Sequence, residues 1–213
     1  MIEPRRVLGT SAPVLGLIGP IGCGKSTIAG WLAEEGAVVV DADALTRAAM
    51  ERGTPLAESV VARFGSEFTL PDGSIDRSAL GRLVFADPAR LAELESIVHP
   101  AVERVEKAAV RAADLQGPSA IVLEAIKLVE VGHAAWCDEI WLVLCEPEAQ
   151  LDRLVARGMA PDDARQRVAA QAASLPLWRS AATRTIRTDG APAAVRSVVV
   201  AAFDELRRNR RRP

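Results

Sequence analysis

The sequence predicts an α/β fold in which a mostly parallel sheet is covered by helices on both faces. Three observations predict it. Strand-like and helix-like segments alternate along the chain. Short apolar runs such as Val14–Ile18 and Ala37–Val40 read as strands buried on both faces. The first of them runs into a glycine-rich loop that opens a helix.

The elements follow in order. After Val14–Ile18, the stretch from Gly24 to Glu35 has helical periodicity through Ile28, Trp31 and Leu32, and Gly36 closes it. Ala37–Val40 is a second strand ending at Asp41. From Asp43 to Ala113 there is no strong strand signal, only helical pieces. Pro55 suits a first helical turn, as does Pro88 behind a capping Asp87, and Asp72-Gly73 marks a turn. Strands resume at Ala120–Leu123 and Ile140–Leu144. Pro147–Arg157 and Pro161–Ala173 are helices joined by a turn at Gly158. Thr185–Arg187 is a short last strand, and Ala191–Arg208 a closing helix.

Gly19-Pro20-Ile21-Gly22-Cys23-Gly24-Lys25-Ser26 matches GxxxxGK[ST], the phosphate-binding P-loop. Its chemistry requires the strand–loop–helix context in which it stands. Glycines let backbone N–H groups curl around phosphate oxygens, and the helix N-terminus adds its positive dipole end. Lys25 supplies a mobile cation for the β- and γ-phosphates. The Ser26 hydroxyl is placed to ligate Mg²⁺, with Thr27 beside it. The alternative is a glycine-rich turn that binds nothing. Pro20 has no N–H and so removes one phosphate donor. Cys23 lies among the loop amides, where a helix end can lower a thiol's pKa and oxidation would block ATP; the plainer reading is a small residue that fits.

Composition narrows the class. The chain of 213 residues carries a net charge of −2, with 49% hydrophobic and 25% charged residues, so nothing global points to nucleic acid or a membrane surface. The expected partners are small molecules, and the assembly state is open between monomer and small homo-oligomer. Cys23, Cys137 and Cys145 show no CxxC spacing and are odd in number, which argues against a disulfide framework and for a reducing, cytoplasmic setting. His99 and His133 form no metal-ligand pattern. Residues 1–13 and 207–213 read as loose tails. GTPases carry an NKxD base-reading motif, and the sole Asn here is Asn209. Asp114-Leu115-Gln116-Gly117 spells DxxG but precedes a strand, so it reads as a turn. A small-molecule kinase remains.

The ordered set Gly16 to Thr27, Asp41-Ala42-Asp43 with Arg47 a turn later, Phe64-Gly65, Asp72-Gly73 with Asp76-Arg77, and His99-Pro100 resembles the dephospho-coenzyme A kinase family. Gln150, Arg153, Arg157, Gln171 and Gly190-Ala191-Pro192 extend the resemblance over about residues 14–205. It implies a P-loop NTPase-type parallel sheet flanked by helices, with a helical acceptor-binding insert and a small helical lid. The core would be about 14–42, 118–147 and 183–205, the insert about 43–115 and the lid about 148–180. The implied activity is transfer of phosphate from ATP, with Mg²⁺, to the ribose 3′-hydroxyl of dephospho-coenzyme A, the last step of coenzyme A biosynthesis.

The resemblance also implies residue roles. Asp43 would be the base, or would only cap its helix. Lys25 and Arg153 would serve the transferring phosphoryl group. Gly22, Cys23, Gly24, Lys25, Ser26, Thr27, Arg157 and Thr188 would bind the nucleotide. Asp43, Arg47, Arg77 and His99 would bind the acceptor, though His99 reads equally as a partly buried residue at a helix junction. Ser26 and Glu124 would serve the metal, unless Glu124 merely starts a helix. Arg153 and Arg157, four apart, share a helix face and clamp phosphates from the lid or else lie on a solvated face. Three departures stand out, one of them Pro20 and Cys23 in place of the small residues usual in the loop. Lys127 sits where the family carries a hydrophobe, and Thr188 stands where the family's base-contacting Asn would be. The remaining readings are a kinase of another small acceptor, such as a nucleoside or nucleotide, and a nucleotide-binding homolog without transfer activity.

Overall fold

The computed structural model describes residues 8–209. Five strands form one parallel sheet in the order β2-β3-β1-β4-β5. They are β1 Val14–Ile18, β2 Ala37–Asp41, β3 Ala120–Glu124, β4 Glu139–Leu144 and β5 Arg184–Arg187. β1 is the middle strand and every one of its residues is buried, which is why its sequence is apolar without alternation. The helices are α1 Lys25–Glu34, α2 Ala42–Ala49, α3 Pro55–Phe64, α4 Arg77–Ala86, α5 Pro88–Asp114, α6 Pro147–Ala156, α7 Pro161–Ala172, α8 Leu175–Ala181 and α9 Pro192–Asn209.

The chain divides into two compact units, residues 42–109 and the rest. In the larger unit, Ile28 and Leu32 of α1 pack with Val199 and Phe203 of α9 on Leu15, Leu17, Val122 and Trp141 of the sheet. The smaller unit has its own core, with Leu56, Val60 and Phe64 of α3 against Leu80 and Val84 of α4. Two helices start at Pro55 and Pro88, as those prolines predict, and side chains cap the starts of α3 and α4. The Thr54 hydroxyl accepts from Ala57 N–H, and the Asp76 carboxylate accepts from Ser78 and Ala79 N–H.

Several expectations need correction. Residues 8–13 are not loose: Leu8 and Ala12 are buried, and the Asp114 carboxylate accepts the N–H groups of Ser11 and Ala12. α9 runs to Asn209, close to the closing helix read as ending at Arg208, so the loose tail expected from 207 does not begin there. The rest of both expected tails, 1–7 and 210–213, lies outside the described residues. His99 marks no helix junction; α5 continues through Pro100, and His99 is exposed on it. α8 was not expected, and its Trp178 is buried with the indole N–H donating to Glu130 (2.9 Å).

The cysteines also depart from expectation. Cys23 and Cys145 are joined in a disulfide, with Cα atoms 5.2 Å apart and a sequence separation of 122. Spacing along the chain could not show this. Cys23 follows β1 and Cys145 follows β4, and only the strand order puts those two strand ends side by side. The pairing removes the ground on which the cysteines were read as free thiols in a reducing compartment. Cys137 remains a thiol; burial, helped by the neighbouring Asp138 charge, pushes its pKa far up. A cross-link over so long a loop stabilises by about 2–5 kcal/mol. Cys145→Ser is therefore expected to lower the melting temperature by roughly 5–15 °C in calorimetry. Equal melting of the variant and the protein kept oxidised would refute this.

Candidate active site

The site grows from the C-terminal end of β1. Gly19 carries φ of +140°, and a Cβ added there would lie 2.2 Å from the Val143 carbonyl oxygen of β4. Only glycine permits the loop to leave the sheet at that point. Gly19→Ala should cost at least about 3 kcal/mol, read as a lost or much lowered unfolding transition in urea. A wild-type urea midpoint would contradict this account of the loop.

Gly24 is the N-cap of α1 and offers no side-chain cap, so the first N–H groups of the helix are left for an anion. Lys25 opens that helix and is only 8% exposed. Its Nζ donates to the carbonyls of Gly19 (2.8 Å) and Pro20 (3.2 Å), so the ammonium is seated on the loop rather than mobile. A buried cation needs such acceptors. Ser26 Oγ donates to Glu124 Oε1 (2.9 Å). Glu124 ends β3, in register with Leu17 of β1 and Asp41 of β2. The strand order thus brings together a hydroxyl and a carboxylate that lie far apart in sequence.

Thr188 was expected at the base. Its hydroxyl is instead committed to the loop: Oγ1 donates to the Cys23 carbonyl (2.8 Å) and accepts from Arg153 Nη1 (3.0 Å). Arg153 Nη2 donates to the Thr188 carbonyl (2.7 Å). Arg153 is therefore tied across α6 to the residue after β5, while Arg157 caps the exposed end of α6. The adjoining Asp189 carboxylate accepts from Glu146 N–H (2.6 Å) and pairs with Arg187. Those contacts, the Glu146 N–H foremost, hold its pKa below the usual carboxylate range. Beside this junction lies a cavity of about 120 Å³ whose walls include Thr27, Trp31, Thr188, Pro192 and Val195. A flat aromatic and apolar walls suit a planar base. Trp31 had been read only as a core position of its helix, because periodicity does not distinguish a core wall from a pocket wall.

In the smaller unit, Asp43 lies in the first turn of α2, two residues past the end of β2, and is half-buried. Arg47 follows one turn on, exposed. Arg77 opens α4 and its Nη2 donates to the Arg47 carbonyl (3.0 Å), so these two candidate acceptor residues are brought together. Lys127 is exposed.

A family model described as dephospho-CoA kinase matches residues 13–190. The chain belongs to the dephospho-CoA kinase family. A dephospho-CoA kinase from Symbiobacterium thermophilum is 44% identical over 191 residues, covering 89% of this chain and 80% of that one. One from Streptomyces avermitilis is 48% identical over 164 residues, covering 74% of this chain and 77% of that one. The crystal structure of TT1252 from Thermus thermophilus superposes with a TM-score of 0.76 at 32% identity, covering 92% of this chain and 98% of that one. The relatives named are kinases, and the matched residues 13–190 include the phosphate loop. Among the described residues no helix is long and apolar enough to cross a membrane.

Proposed function

We propose that the protein transfers the γ-phosphoryl group of ATP to the ribose 3′-hydroxyl of dephospho-coenzyme A, giving coenzyme A and ADP, and that the loop, Glu124 and Asp43 carry the chemistry. The observation behind the site assignment is the Ser26–Glu124 hydrogen bond at the mouth of a loop on whose carbonyls the Lys25 ammonium is seated. The N–H groups from Gly22 to Thr27 would cradle the β- and γ-phosphates. Lys25 would exchange loop carbonyls for phosphate oxygens and offset charge as the bond to the leaving ADP lengthens. The base would rest against Trp31.

Ser26 Oγ and the Glu124 carboxylate are hard oxygen donors and fit magnesium; Ser26 would ligate the ion and Glu124 would hold its hydration water. Bound there, Mg²⁺ supplies charge neutralisation across the phosphates. Asp43 would accept the proton of the acceptor hydroxyl or hold it in line, and Arg47 and Arg77 would meet the acceptor's phosphates. His99 and Arg157 are exposed, and their proposed roles in acceptor and nucleotide binding rest on the family resemblance alone. The comparisons favour neither another small acceptor nor a silent nucleotide binder. A coupled ADP-release assay with Mg-ATP, with and without dephospho-coenzyme A, tests the proposal. Acceptor-dependent ADP and a product heavier by one phosphoryl group are expected; ADP release indifferent to the acceptor would overturn it.

A further inference from the structure

Both backbone polar groups of one loop residue, Ile21, are held by side chains from helices that follow β4. Gln150 Nε2 of α6 donates to the Ile21 carbonyl (2.7 Å), and the Ile21 N–H donates to Gln171 Oε1 of α7 (2.7 Å). Gln150 is 5% exposed, so its amide is committed to the loop and not to water. The backbone of α6 also lies against the loop, since a Cβ added to Gly22 would come within 3.1 Å of the Gln150 carbonyl oxygen and of Leu154 Cγ.

We propose that Gln150 and Gln171 are positioning residues of the phosphate loop, clamping Ile21 so that the amides from Gly22 onward keep the shape that receives the nucleotide phosphates. The proposal rests on the kinase reading above. Pro20 has no N–H to give. The N–H of Ile21 is spent on Gln171, so the phosphate-binding run starts at Gly22. Without the clamp, both groups of Ile21 need other partners, and the loop gains freedom that nucleotide binding must then remove. The clamp is also directional. Position 150 must donate, because it faces a carbonyl oxygen. Position 171 must accept, because it faces an N–H. Glutamine satisfies both, but glutamate satisfies only the second.

That direction supplies a test in which added charge cancels. Four variants, Gln150→Met, Gln171→Met, Gln150→Glu and Gln171→Glu, are measured for Mg-ATP affinity by calorimetry, for KM of each substrate and for thermal melting. Each Met variant should weaken ATP binding about tenfold. Its KM for dephospho-coenzyme A should stay within about twofold, since an acceptor not held by the loop is not affected. Gln150→Glu should bind ATP about tenfold more weakly than Gln171→Glu, although both place a carboxylate beside Ile21. ATP affinity within twofold of wild type in both Met variants would overturn the proposal. So would a parallel rise of both KM values with a falling melting temperature, the mark of a merely structural role. If the Gln150 variants fail to fold, Gln171→Met against Gln171→Glu decides, and equal ATP affinity in that pair counts against the clamp. Calorimetry needs no acceptor, so a wild type that binds ATP without turnover condemns the kinase reading and leaves the clamp still judged.

Discussion

Lys25→Met is expected to lower kcat/KM for phosphoryl transfer by about 10²–10⁴ while the protein still folds. Methionine keeps the length of the side chain and its apolar stem and removes only the charge. Within the loop the loss falls on the carbonyls of Gly19 and Pro20, which give up the donor they share. That costs about 1–3 kcal/mol of stability, enough to move the melting curve and too little to abolish folding. In the reacting complex the loss is larger, because the charge stabilised by Lys25 grows as the phosphoryl group departs. Steady-state ADP release, with melting followed in parallel, separates the two effects. Turnover within tenfold of wild type would remove Lys25 from the reaction.

Asp43→Ala should reduce kcat by about 10²–10⁴ and leave the affinity for Mg-ATP unchanged. Asp43 stands in the first turn of α2, outside the phosphate loop. A carboxylate in a first turn also interacts with the helix dipole, which is worth about 0.3–1 kcal/mol. The two roles separate in Asp43→Asn, which keeps a polar group of the same shape but cannot take a proton. A base predicts that Asn is as slow as Ala. A residue that only steadies the helix end predicts that Asn is nearly as fast as wild type, and that result would reassign the base.

Much of the fold was legible because its signals are local. Buried strands show as apolar runs, and Pro55, and Pro88 behind Asp87, announce the helices they open. The phosphate loop is local as well, so its residues were named from the sequence. What was not legible depends on which strands are neighbours. The Cys23–Cys145 bond follows from β1 lying next to β4, and the Ser26–Glu124 bond from β1 lying next to β3. The order of strands is not written in any one of them. Thr188 was placed at the base by analogy with an Asn. The structure adds that its hydroxyl donates to the Cys23 carbonyl while the residue lines the cavity beside Trp31. Gln150 and Gln171 gave no sign of their role, since glutamine on a helix is ordinary until its burial is known.

The central place of β1 also bears on how the chain acquires its structure during synthesis. β1 precedes both of its pairing partners in the chain, as a wholly buried ribbon, and they begin at Ile121 and Glu139. It can make no ladder hydrogen bond until most of the polypeptide has emerged. Such long-range pairing means high contact order, and so slow folding and a lengthy exposure of sticky backbone. Residues 42–109, with a hydrophobic cluster of their own, are made in the interval and can collapse early. The segment that carries the phosphate loop therefore stays without its ladder partners until β3 and β4 have been made.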